Sequence, residues 1–139
     1  MHIPASVQSI GELAFYQCKN LQRVTFAEGS QLREIKVGAF YETGIAEVQI
    51  PVNVQSIGEC AFYICENLQK VTFAEGSQLK EIKVGAFKST GIAEVQIPAS
   101  VQSIGRSAFY QCENLQRVPS RRAPSCGRSE RGRSAAAAV

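Results

Sequence analysis

Aspartate and tryptophan are absent from this chain of 139 residues, and histidine and methionine each occur once. These gaps narrow the chemistry. A Ser–His or Cys–His pair needs an anchored base, and the single imidazole, His2, falls at an N-terminus expected to fray. Acid–base work would fall to glutamates, which alternate with Lys and Arg along the chain. Glu28-Gly29-Ser30 and its copy Glu75-Gly76-Ser77 read as loop turns, and neither has the G-x-x-x-x-G-K-[ST] form of a phosphate cradle. The expectation is a non-enzyme with no cofactor and no metal. Long apolar runs are missing too. No stretch approaches the roughly 20 apolar residues of a membrane span. Met1-His2-Ile3-Pro4 shows no basic segment followed by an apolar one. The default compartment is therefore cytoplasmic, with the cell surface open only to an incomplete gene product.

Charge of one sign is scarce once the chain is divided. Residues 1–118 carry ten Lys or Arg against eleven Glu, so all of the basic excess behind the net +3 comes from elsewhere. It lies in residues 119–139, where five arginines face only Glu130. A near-neutral body argues against nucleic-acid binding except through that tail. The tail is rich in Ser, Arg, Gly and Ala and reads as disordered. Two readings of it stand: a basic arm for RNA or an acidic partner, or the altered end of a longer repeat protein.

What is abundant is repetition. Ile10, Phe15, Cys18, Leu21 and Val24 recur as Ile57, Phe62, Cys65, Leu68 and Val71, and again as Ile104, Phe109, Cys112, Leu115 and Val118, a period of 47 residues. A long regular period marks stacked units that cannot bury their apolar faces alone. Each unit splits into a longer and a shorter turn, keyed by Ile10, Ile35, Ile57, Ile82 and Ile104, giving about five turns. The difference is largely one loop, Ala27-Glu28-Gly29-Ser30 against a bare Pro51-Val52. Within a turn, Leu21–Phe26 and Ile45–Ile50 end in apolar–polar alternation rich in β-branched residues, which predicts short strands. Pro51 and Pro98 end their strands because proline has no N–H for the ladder. Ile10–Cys18 spaces apolar residues by four and five, which predicts one helical turn packed on the sheet. Glycines such as Gly11, Gly58 and Gly105, or Gly38 and Gly85, would permit tight bends.

The run Ile-Pro-x-x-Val-x-x-Ile-Gly-x-x-Ala-Phe-x-x-Cys-x-x-Leu-x-x-Val fits Ile50–Val71 and Ile97–Val118 at nearly every position. It resembles the BspA-like leucine-rich repeat over residues 3–118. The resemblance implies a leucine-rich-repeat β-solenoid (α/β repeat class, mostly β), with a concave parallel sheet and short helical turns on the convex side. It also implies protein-binding roles of the adhesion type. The organisation expected is a solenoid over 1–118 and a basic tail over 119–139.

Aligning the strands sets Arg23, Glu47, Lys70, Glu94 and Arg117 in one outward column of alternating sign. Neighbouring parallel strands lie ~4.8 Å apart, so each charge has opposite partners on both sides. A self-neutralising ladder is the simpler reading of that column, and a binding surface the other. Beside it run the neutral columns Thr25, Gln49, Thr72, Gln96 and Gln22, Ala46, Gln69, Ala93, Gln116. Together Arg23, Thr25, Glu47, Gln49, Lys70, Thr72, Glu94, Gln96 and Arg117 form the candidate face for a protein or glycan.

Cys18, Cys65 and Cys112 share one position two turns apart, with Thr43 and Thr90 between. Two turns span roughly 10 Å, beyond the ~7 Å Cα limit of a disulfide, so buried thiols are expected. Cys60 and the tail's Cys126 fall outside that column. The reading is a non-catalytic interaction module, against a purely structural fragment or a tail-borne nucleic-acid binder. Uncapped ends would also permit end-to-end self-association.

Overall fold

The computed structural model describes residues 1–116, so Arg117 and the 119–139 tail lie outside the described residues. Among the described residues nine short strands follow one another: β1 (His2–Ile3), β2 (Ser9–Ile10), β3 (Thr25–Phe26), β4 (Glu34–Ile35), β5 (Glu47–Ile50), β6 (Ser56–Ile57), β7 (Lys70–Phe73), β8 (Glu81–Ile82) and β9 (Ser103–Ile104). Every pairing among them is parallel, as a coiling chain of repeated turns requires.

One wall is a continuous sheet in the order β2-β4-β6-β8-β9. Its register aligns Ile10, Ile35, Ile57, Ile82 and Ile104, so the five key isoleucines mark five passes bounding four complete turns. Each step is tied by the residue after the isoleucine: Lys36, Gly58, Lys83 and Gly105 donate to the isoleucine carbonyl of the turn before, at 2.6–3.0 Å. These two-residue strands escape the sequence because alternation over Ser9-Ile10 or Glu34-Ile35 is too brief to register as a period.

The second wall holds the expected strands but is broken into pieces. β1 pairs with β3, β5 pairs with β7 over four residues, and single bridges at Arg23–Glu47 and Lys70–Glu94 join the pieces. Ala27 and Ala74 donate to the carbonyls of Ile3 and Ile50 at 3.0 and 3.1 Å. One turn later the matching positions are Pro51 and Pro98, which have no N–H, so the ladder stops there.

Phenylalanines fill the space between the walls. Phe15, Phe40, Phe62, Phe87 and Phe109 stack in one column with centroids 5.2–5.4 Å apart and planes within 12°. Four of these rings are essentially solvent-free, and Phe15 is half-buried. Offset stacking adds ~0.5–1.5 kcal/mol per pair beyond area burial.

The expected helical turn is absent: no helix occurs among the described residues. Over Gly11–Cys18 the amides of Ala14, Tyr16 and Cys18 bond three residues back. Those of Leu13, Phe15 and Gln17 reach across to Val37, Ala39 and Tyr41 of the next turn. A helix would direct its bonded amides to its own carbonyls four residues back, whereas the stack sends alternate amides to the next turn. The geometry requires left-handed backbone at two positions per turn, Leu13 (φ 53°) and Gln17 (φ 59°) in the first. Gly38 and Gly85 meet the first requirement without cost (φ 61° and 65°). Gly58 acts differently: a Cβ there would lie 2.7 Å from the Lys36 carbonyl carbon, so glycine lets two turns approach.

Candidate interaction face

Eight of the nine candidate residues lie within the described part, and all eight are exposed. The β5–β7 register sets Glu47 beside Lys70 and Gln49 beside Thr72, and the two bridges set Arg23 beside Glu47 and Lys70 beside Glu94. The alternation of sign is therefore real in register. It does not close into ion pairs: among the described residues the pair that forms is Lys19–Glu42, 3.2 Å, elsewhere on the surface. An exposed pair is worth ~0–1 kcal/mol, too little to hold two long side chains together. Glu42 also accepts a hydrogen bond from Gln17 Nε2 at 3.1 Å. That bond, followed by the Lys19 ammonium, holds the Glu42 carboxyl below its usual range.

His2 departs from expectation. It is a strand residue paired with Thr25, its Nδ1 2.9 Å from Thr25 Oγ1, so it extends the neutral column rather than fraying. The column then runs His2, Thr25, Gln49, Thr72, Gln96.

The break at Pro98 opens the face. A groove of about 950 Å³ lies between β7 with its loop Ala74–Ser77 and the facing segment 93–100. Lys70, Thr72, Glu94 and Gln96 line it beside the apolar Val71, Phe73 and Ile97. Four candidate residues thus converge on one concavity, while Arg23, Thr25, Glu47 and Gln49 lie outside its lining. The sequence signal that could have located it is the pairing of Pro98 with the longer loop through Gly76.

The cysteine column is more polar than small buried hydrophobes would be. Cys65 and Cys112 are buried, each donating to a carbonyl of the preceding turn, Phe40 at 3.0 Å and Phe87 at 3.1 Å. Each also meets a threonine hydroxyl, Thr43 at 3.3 Å and Thr90 at 3.2 Å. Cys/Thr alternation is therefore a hydrogen-bonding rule between turns. Burial pushes both thiols above their ordinary range, away from the nucleophilic thiolate. Cys18, in the first turn, is exposed, contrary to the burial expected of its column.

Sequence reading also missed an aromatic row on the turn side. Tyr16, Tyr41 and Tyr63 pack edge to face at 5.1 and 4.9 Å, and Lys88 sits between the Tyr63 and Tyr110 rings at 5.5 and 5.3 Å. Lys88 hides the series from sequence inspection, because it stands where the other turns carry tyrosine.

Parallel strands, alternating long and short turns and an Ile/Phe core define a leucine-rich-repeat solenoid. The model of the BspA type leucine rich repeat region matches residues 1–116 in six copies, against five key isoleucines. The chain belongs to the BspA-type leucine-rich repeat family. Among solved structures it is similar to the pneumococcal vaccine antigen PcpA, at 31% identity and TM-score 0.77, over 79% of this chain and 27% of that one. A leucine-rich cell surface protein of Faecalibacterium prausnitzii is 30% identical, TM-score 0.59, over 83% of this chain and 37% of that one. A leucine-rich repeat protein of Bacteroides capillosus is 31% identical, TM-score 0.59, over 85% and 73%. The chain thus spans about a third of the first two structures it matches. No curated protein matches it.

Proposed function

We propose that this chain is a non-catalytic recognition module that binds an extended protein segment in the groove at the Pro98 step. One observation carries the reading: the groove joins candidate side chains to the edge of β7, which the next turn meets only at the Lys70–Glu94 bridge. Backbone donors and acceptors along such an edge suit a peptide main chain, and flanking side chains supply selectivity. Lys70 and Glu94 offer one charge of each sign, which favours a zwitterionic or mixed-charge ligand over a polyanion. Relatives that include a vaccine antigen and a cell surface protein support a cell-surface setting over the cytoplasmic default.

The test is a peptide-display selection against the full chain, followed by Thr72→Lys with Gln96→Lys. Loss of binding with an unchanged melting temperature supports the groove. Peptide binding that survives the double substitution refutes it. Binding confined to a glycan array would replace the protein ligand with a carbohydrate, and binding lost only on deleting 119–139 would move the site to the tail.

A further inference from the structure

The proline break occurs twice, and the two steps are finished differently. Pro51 and Pro98 face loops of identical sequence, residues 27–30 and 74–77. Both loops turn through a left-handed glycine, Gly29 (φ 76°) and Gly76 (φ 79°). In both, the serine hydroxyl accepts from the leucine amide two residues on, at 3.2 Å. The loops are thus alike, and the steps differ in the residue two after the proline.

At the first step that residue is Asn53, whose Nδ2 donates to the Ser30 carbonyl at 3.0 Å. At the second it is Ser100, whose hydroxyl donates instead to the Leu79 carbonyl at 2.6 Å. Among the described residues nothing donates to the Ser77 carbonyl, the counterpart of the one Asn53 reaches. Ser30 is buried, whereas Ser77 is only half-buried. Proline leaves a further acceptor unanswered. Ala74 donates to Ile50 one turn earlier, so position 98 would donate to Phe73, but Pro98 has no N–H. Phe73, Ser77 and Ser100 all line the groove. Carbonyls are costly to leave unpaired away from water, so whatever fills the groove must bring donors to them.

We propose that the groove at Pro98 recognises a primary carboxamide, the side chain of an asparagine or glutamine in the bound segment. The model for the contact is internal: Asn53 closes the first step with the same group, from within the chain. At the second step the ligand's carboxamide donates to the Ser77 carbonyl, and a backbone N–H of the segment answers Phe73. An aspartate or glutamate in that place has no N–H to give. A lysine would leave water for a single neutral acceptor, at a higher cost than a neutral amide. This selectivity rests on the peptide reading of the groove and adds to it the side chain that is preferred.

The test starts from displayed random peptides selected on the full chain. Enrichment of asparagine or glutamine at one position is expected. A selected peptide remade with aspartate or alanine at that position should bind roughly tenfold or more weakly. Ser100→Asn gives the second step the side chain that closes the first, and should weaken capture of the parent peptide by a similar factor at an unchanged melting temperature. Peptides without a carboxamide preference, or indifferent to the aspartate replacement, overturn the inference. If Thr72→Lys with Gln96→Lys still abolishes their capture, the groove reading survives without it. A library that yields no binder, or capture that survives that double substitution, overturns both.

Discussion

The two walls of this solenoid are built from the same turns, yet one closes at every step and the other at every second step. On the continuous wall the residue after the key isoleucine is lysine or glycine, and its N–H always finds the preceding turn. On the other wall the matching residue alternates between alanine and proline, so bonding alternates with it. A single missing N–H per doublet therefore separates a structural wall from one with an opening. The lesson is local: the stack tolerates a missing donor where the opposite wall and the phenylalanine column already hold the turns together.

That comparison predicts a ranking of effects. Phe62→Ala removes the central ring beneath both walls, so the largest loss is expected, about 3–5 kcal/mol in denaturant unfolding. Next comes Gly58→Ala on the continuous wall. Its new Cβ would press on the Lys36 and Val37 backbone at 2.7 and 2.8 Å, costing about 1–3 kcal/mol. A melting temperature unchanged by this substitution would show that the continuous wall is not tightly packed.

The thiol column gives a pH signature of intermediate size. Cys65 and Cys112 have folded values raised by burial above the ordinary 9.0. Below that value both folded and unfolded chains keep the protons, and the stabilisation is fully present. Above it the unfolded chain ionises first, so stability falls as pH rises toward the folded values. Cys65→Ser with Cys112→Ser keeps the hydroxyl-type hydrogen bonds and removes the titration. It should flatten the alkaline decline relative to the parent. Parallel declines would deny that burial raises these thiols.

The smallest effect on stability is expected at the broken step itself. Pro98→Ala supplies an N–H worth ~0.5–1.5 kcal/mol if it bonds, against ~0.4–1 kcal/mol of unfolded-state restriction lost with proline. The two nearly cancel, so the melting temperature should hardly move. Ligand capture at the groove should nevertheless fall, because the restored rung narrows the opening. Undiminished capture by this variant would separate the groove from the break.

Features written into single residues or long periods were legible in the sequence. The doublet, the strand Glu47–Ile50, its stop at Pro51 and the sign alternation through Glu47, Lys70 and Glu94 all reappear in the register. Features that depend on neighbours from other turns were not. Leu13 and Gln17 are not residues that favour left-handed backbone, and bonds to the next turn impose it on them. Leu13, Phe15 and Cys18 therefore looked helical, since the spacing of apolar groups cannot show where the amides point. The groove was hidden for a related reason: Thr72 and Gln96 read as one bland column until Pro98 parts their strands. His2 looked loose because its partner, Thr25, lies 23 residues away.

Amide hydrogen exchange on the full chain tests the contrast between the walls most directly. Lys36, Gly58, Lys83 and Gly105 should exchange only through global unfolding, while Gln96 and Ile97 at the broken step should exchange through local opening, orders of magnitude faster. Equal protection on both walls would contradict it.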